Sequence, residues 1–245
     1  MAMHHWRGDF EQWEKSPGNP VSEVDMAIDA FLKAELARLD PEAGWLSEET
    51  ADNAERLMRS RVWVVDPIDG TRDYIRGRPG WAVSIALVEA GRPIFGVLEA
   101  PARSERWLAS LDGGATLNGL PLSASTCASM KGARVPADAL PKGDVDLVAV
   151  FKPNSIALRM AMVAADEADL VAALRWGSEW DIAAAALIVT EARAMVSDAL
   201  GAPVRYNSTS GEAFGLLCCS PALHGLAVER LAERAKLLSA RQKVG

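Results

Sequence analysis

Apolar and polar positions along this chain change period several times, and each change predicts an element. Across residues 25–39 the apolar residues Ile28, Leu32, Leu36 and Leu39 fall on one helical face, so an amphipathic helix is expected there. Pro41 and Gly44 should end it. Val62-Trp63-Val64-Val65 is a β-branched and aromatic run, which predicts a buried strand stopped by Asp66-Pro67. Residues 81–88 and 93–99 flank Ala90-Gly91, and Asn118-Gly119 sits inside residues 116–120; both patterns predict hairpins. Residues 123–143 are rich in Ala, Ser, Pro and Gly, a plausible boundary. Beyond it, strand-like runs at 145–151 and 216–219 alternate with Ala-rich helical stretches at 156–165, 181–193 and 221–238. The pattern therefore predicts an α+β first half, residues 1–125, and an α/β second half, residues 126–245.

Composition narrows the function. With 245 residues, 49% apolar and 24% charged, the chain can bury a real core and is neither disordered nor fibrous. Its net charge of −7 provides no overall basic field for nucleic acid, so an anionic ligand would need metal ions or clustered amides. Cys127, Cys218 and Cys219 make neither a disulfide framework nor a zinc spacing, which suits a reducing cytoplasm. No apolar leader opens the sequence, and its longest apolar run, residues 182–189, falls far short of the ~20 needed to span a bilayer. A soluble, cytoplasmic protein is expected.

Candidate chemistry sits in three acidic segments. Glu48-Glu49 after Ser47 reads locally as a capped helix start. Asp66-Pro67-Ile68-Asp69-Gly70-Thr71 reads either as a turn or as a hard oxygen site, in which both carboxylates and the Ile68 carbonyl curl toward one magnesium ion. In the second reading Gly70-Thr71-Arg72 opens a helix whose free amides accept phosphate. Asp181, after Trp180, is either a helix N-cap or a carboxylate closing a metal site from the second half.

Taken together, Asp25, Glu48-Glu49, Asp66-Pro67-Ile68-Asp69-Gly70-Thr71 and Trp180-Asp181-Ile182-Ala183-Ala184 resemble, in order, the motifs of the inositol monophosphatase superfamily. Trp13-Glu14-Lys15, residues 44–49 and Trp180-Asp181 look most like bacterial 3'(2'),5'-bisphosphate nucleotidases of the CysQ kind. The resemblance implies a five-layer αβαβα sandwich of the inositol monophosphatase and fructose-1,6-bisphosphatase type. It also implies a magnesium-dependent, lithium-sensitive phosphomonoesterase that uses two or three Mg2+ ions on a small phosphorylated metabolite. Glu48, Asp66, Asp69, Asp181 and the Ile68 carbonyl would bind metal. Asp25 and Thr71 would activate water, with Glu49 behind the ligands and Lys15 on a mobile loop. Gly70, Thr71, Arg72, Trp176 and Asp181 would contact substrate, Trp176 by stacking on a base. A homodimer is common in the family.

Several positions depart from the family pattern. Ser47 stands for a Gly, Ser22 and Arg72 each for a Thr, and Arg193-Ala194 for a Gly-Gly pair. Only a short stretch precedes Lys15 where relatives carry a full helix. Inositol 1-phosphate is the alternative substrate, then a sugar bisphosphate; a non-catalytic metal-binding regulator is the alternative from another class. A haloacid-dehalogenase-type phosphatase needs D-x-D where this chain has D-x-x-D. The basic residues Arg230, Arg234, Lys236, Arg241 and Lys243 are interrupted by Glu229 and Glu233, as on a solvated helix face. His4, His5 and His224 lack metal spacing, and Cys218-Cys219 fits a core strand.

Overall fold

The computed structural model describes residues 1–242, with side chains to 239. A one-turn helix α1 (Ala2–His5) precedes the hairpin β1 (Gln12–Ser16) and β2 (Asn19–Ser22), then α2 (Glu23–Leu39). Next come β3 (Gly44–Ser47), β4 (Arg61–Asp69), α3 (Thr71–Ile75), β5 (Ala82–Glu89) and β6 (Arg92–Ala100). The strands β7 (Glu105–Ser110), β8 (Gly114–Leu117), β9 (Leu120–Pro121), β10 (Arg134–Pro136) and β11 (Val148–Val150) follow. The chain ends with α4 (Ile156–Ala164), β12 (Leu170–Ser178), α5 (Glu179–Glu191), β13 (Met195–Ser197), β14 (Glu212–Cys219) and α6 (Pro221–Gln242).

Side-chain parity stacks these elements into five layers. Strands β3 to β9 form one sheet in chain order, antiparallel except for the parallel β3–β4 pair. On β4, Trp63 and Val65 point to one face and pack with Leu36 of α2, while Val62 and Val64 point to the other and join the Ala-rich α4 and α5. The second sheet, in the order β12-β14-β13, repeats the device: Leu216 and Cys218 of β14 face α4 and α5, and Leu217 and Cys219 pack under α6. The order α2, sheet, α4–α5, sheet, α6 is an αβαβα sandwich. Because α5 is apolar all round, it can be buried between two sheets. No helix among the described residues is long and apolar enough to cross a membrane.

Some expectations shift. The strand predicted at 62–65 does not stop at Asp66-Pro67; it runs to Asp69 through a register irregularity between Asp66 and Asp69. A bulge needs no ladder bond from proline, so Pro67 is tolerated there. Helix α2 begins earlier than the apolar period, at Glu23, where Ser22 caps it through a reciprocal capping box with Asp25. The run at 145–151 is a strand only over Val148–Val150. The stretch ahead of Lys15 folds back instead of forming a long helix: Ala2 is buried, and its carbonyl accepts the Tyr74 hydroxyl at 2.9 Å. Arg230 and Arg234 are held by Asp144, with Asp146 also on Arg230. Lys243 and the side chain of Arg241 lie outside the described residues.

Candidate active site

Three elements bring the acidic segments to one place. Glu48 follows β3, Asp66 lies on β4 and Asp181 in the first turn of α5, and one carboxylate oxygen from each lies within 4.8 Å of the others. Glu48-Glu49 does not open a helix: the Glu48 amide donates to the Val65 carbonyl at 3.3 Å and so extends the β3–β4 pairing. Ser47 turns inward instead, its hydroxyl donating to Asp29, which also accepts from Thr50. Nor is Asp181 the N-cap of α5. That position is Ser178, and Asp181 sits three residues on, where the helix dipole favours a carboxylate.

Asp69 stands beside the cluster and lines the same cavity as Glu48 and Asp181. Its carboxylate is held from the second half of the chain by the Ser155 hydroxyl, the Ala157 amide at 2.8 Å and the Ile156 amide at 3.3 Å. Ser155 is also the N-cap of α4, so one residue fixes both the helix and the carboxylate.

Asp25 and Thr71 meet behind the cluster. The Ser22 amide and hydroxyl donate to Asp25 Oδ2, which aims Oδ1 at the Thr71 hydroxyl 3.3 Å away. The same hydroxyl reaches the Ile68 carbonyl at 3.0 Å. The turn between them needs Gly70, whose φ of 96° is left-handed and where a Cβ would lie 2.7 Å from the Gly80 carbonyl oxygen.

Lys15, on the β1–β2 hairpin, reaches across to Glu48 at 2.7 Å and to Glu49 at 2.9 Å. Arg72 lines the cavity, but its guanidinium donates to the Gly18 carbonyl and so ties this hairpin to α3. Arg72 therefore both clasps the hairpin and borders the cavity in which it was expected to meet substrate.

Burial and mutual repulsion dominate the electrostatics. Asp66 is pushed well above the usual carboxylate range by burial and by Glu48, Asp69 and Asp181. Asp181 rises likewise through burial and Asp69. Asp69 is raised to about 6 by burial, against the pull of Ser155, and Glu49 to about 7 by burial, against Lys15. A group of carboxylate oxygens that repel one another in a dry pocket is matched to a hard divalent cation such as magnesium.

The cavity, about 970 Å3, opens from these acids toward Asn154, Arg159, Arg175 and Trp176. Residues 175–178 carry no strand signal in the sequence. They form the end of β12, a strand whose mixed sequence hides any alternation. Trp176 is 38% exposed and its ring stands 5.5 Å from that of Phe214. Two further residues escaped the sequence reading. Glu179, fully buried, accepts from the Asn207 and Ser208 amides, and buried Arg56 donates to Asn207 Oδ1 and the Ser208 carbonyl. One loop thus ties the start of α5 to the segment after Glu48; only its long sequence separation hid it.

The inositol monophosphatase family model matches residues 2–236. The chain is 35% identical to the Nus factor SuhB of Xylella fastidiosa over 77% of its own length and 72% of that protein's. It is 32% identical to the histidinol-phosphatase of Mycobacterium tuberculosis over 81% of each. The IMPase of Thermotoga maritima superposes with a TM-score of 0.80 at 27% identity, covering 97% of this chain and 93% of that one.

Proposed function

The chain belongs to the inositol monophosphatase family of magnesium-dependent phosphoric monoester hydrolases, and on that premise we propose that it hydrolyses a 3'(2')-phosphorylated adenosine 5'-phosphate. The observation that carries the reading is that one cavity is lined both by members of a carboxylate cluster and by a partly exposed tryptophan, Trp176.

Glu48, Asp66, Asp69, Asp181 and the Ile68 carbonyl would hold the magnesium ions. When bound, magnesium supplies the positive charge that lets an acidic protein accept a phosphate dianion, and it stabilises the attacking and leaving oxygens. The residues of the chain do the rest. Thr71 Oγ1 carries one proton and has two acceptors within reach, so when it donates to Asp25 Oδ1 its lone pairs are free to receive a proton from water. Burial raises the Asp25 carboxyl, which suits a group that must take up that proton. First-turn amides at Gly70 and Thr71 have no partner within α3 and would cradle a phosphoryl oxygen. Lys15 steadies Glu48 and Glu49 from the hairpin. Glu49, side chain buried, would shape the site from behind the ligands.

The substrate choice rests on Trp176, whose indole offers an apolar face of the width of a base. Magnesium-dependent phosphate release, with and without lithium, should be compared for adenosine 3',5'-bisphosphate, inositol 1-phosphate and fructose 1,6-bisphosphate. The nucleotide is expected to lead in kcat/KM, and Trp176→Ala to raise its KM by about 10-fold, the scale of one lost stacking contact. An inositol phosphate preference would keep the phosphatase and overturn its substrate. No release from any ester would favour a non-catalytic regulator.

A further inference from the structure

The cavity also carries positive charge, part of which is paired to no carboxylate among the described residues. Four cationic residues line it: Arg72, Lys152, Arg159 and Arg175. Two are already engaged, Arg72 on the Gly18 carbonyl and Lys152 on Asp138. The other two have no carboxylate partner among the described residues. Arg159, on α4, donates Nε to the Pro153 carbonyl at 2.8 Å and Nη2 to the Asn154 carbonyl at 2.6 Å. That brace fixes the guanidinium and leaves Nη1 without a partner among the described residues. The side chain of Arg175, on β12, makes no hydrogen bond or ion pair with any described residue.

Backbone geometry brings Arg175 there. The β12–β14 register slips between Ala173 and Trp176, and at such a bulge neighbouring side chains stop alternating strictly between faces. Arg175 and Trp176, adjacent in sequence, both line the cavity. The two arginines also feel each other. Burial is the larger influence lowering Arg159, and the Arg175 charge adds to it, while Asp69, Asp138 and Asp73 pull the other way. Arg175 in turn pulls the Asp181 carboxyl down, against its burial. Both arginines thus share one cavity with the carboxylates, Arg159 within reach of the Asp69 charge and Arg175 of the Asp181 charge. Two guanidinium groups that share one cavity and are ion-paired to no carboxylate among the described residues repel each other, and an anion that bridged them would relieve that repulsion.

We propose that Arg159 and Arg175 form a subsite for a second phosphate, so that the preferred substrate is a monoester whose leaving group is itself phosphorylated. This rests on the phosphatase reading of the cavity and goes further by naming the residues that select the substrate. A nucleoside bisphosphate and a sugar bisphosphate share that chemistry, whereas a neutral polyol leaving group would leave both arginines unpaired.

Matched pairs test it. Adenosine 3',5'-bisphosphate is compared with adenosine 3'-phosphate, and fructose 1,6-bisphosphate with fructose 1-phosphate, in wild type, Arg175→Ala, Arg175→Lys and Arg159→Ala. In at least one pair the bisphosphate is expected to exceed its monophosphate by 10-fold or more in kcat/KM. Arg175→Ala should bring that ratio to within about 3-fold, mainly through KM, with Arg175→Lys intermediate. The pair that shows the effect identifies the scaffold: a fructose-only effect would sustain the subsite and remove the nucleotide.

A second readout needs no turnover. Calorimetric binding of adenosine 5'-phosphate against adenosine, and of fructose 6-phosphate against fructose, measures the second-phosphate contact directly. If no ester is hydrolysed, the phosphatase reading falls while this ratio still decides the subsite. Equal binding with and without the second phosphate, or a preference that survives both alanine variants, would overturn the proposal. So would an equal loss on bisphosphate and monophosphate in Arg175→Ala, which would place Arg175 in support of Asp181 instead.

Discussion

Asp69 shows how one side chain can serve two halves of a molecule. The turn reading of Asp-Gly and the metal reading were both legible in the sequence, but neither included Ser155, 86 positions away, whose hydroxyl and following amides grip the carboxylate. Replacing Asp69 by Asn removes a charge from a repelling cluster and costs about one hydrogen bond, because the amide cannot accept at both oxygens. Stability and activity should therefore separate. The Asp69→Asn protein is expected to keep its melting temperature within a few degrees in chelator at pH 8, yet to lose at least about 100-fold in magnesium-supported kcat/KM, since even partners of metal ligands cost 10–100-fold. Near-normal turnover at limiting magnesium would take Asp69 out of the site.

Whole elements were legible where local chemistry decides them. Asn118-Gly119 adopts φ values of 50° and 81°, as its two-residue hairpin requires. Helix α2 declared itself by period and, less obviously, by Ser22-x-x-Asp25. The β1–β2 hairpin gave no signal because β1 is exposed throughout and carries no alternation. The end of α5 is the informative exception. Arg193, where the family resemblance implies glycine, adopts φ 73° just past the helix while its amide donates to the Thr190 carbonyl at 2.9 Å. The helix stop is kept by tertiary context at the expense of a left-handed arginine, a strain of about 1–2 kcal/mol. Arg193→Gly relieves it but loosens the unfolded chain, leaving a net gain of about 0.5–1 kcal/mol. That should raise the melting temperature by roughly 1–4 °C. Scanning calorimetry decides it: an unchanged or lower midpoint would mean that the arginine is not strained there.

At the scale of the molecule, five layers close around a store of negative charge. The sequence disclosed which carboxylates exist but not how deeply they are buried, because burial depends on two sheets packing against α5. The pH dependence of stability follows from that burial. Asp25, Glu49, Asp66, Asp69 and Asp181 all hold protons in the folded state at pH values where the unfolded chain has released them. The folded state then binds more protons, so stability falls as pH rises from about 4 through 7. Asp146 and Asp169, each lowered to about 2 by their arginines, work the other way but have completed their effect below that window. Magnesium should cancel the loss, because it binds the deprotonated cluster and releases its protons. In chelator the melting temperature is therefore expected to fall between pH 5 and pH 8, and in saturating magnesium to stay level. The gap between the two curves should be widest at pH 8. At magnesium 100-fold above its dissociation constant it corresponds to about 2.7 kcal/mol, or roughly 5–10 °C for a chain of this size. Parallel curves with and without magnesium would mean that the cluster is not where the metal binds.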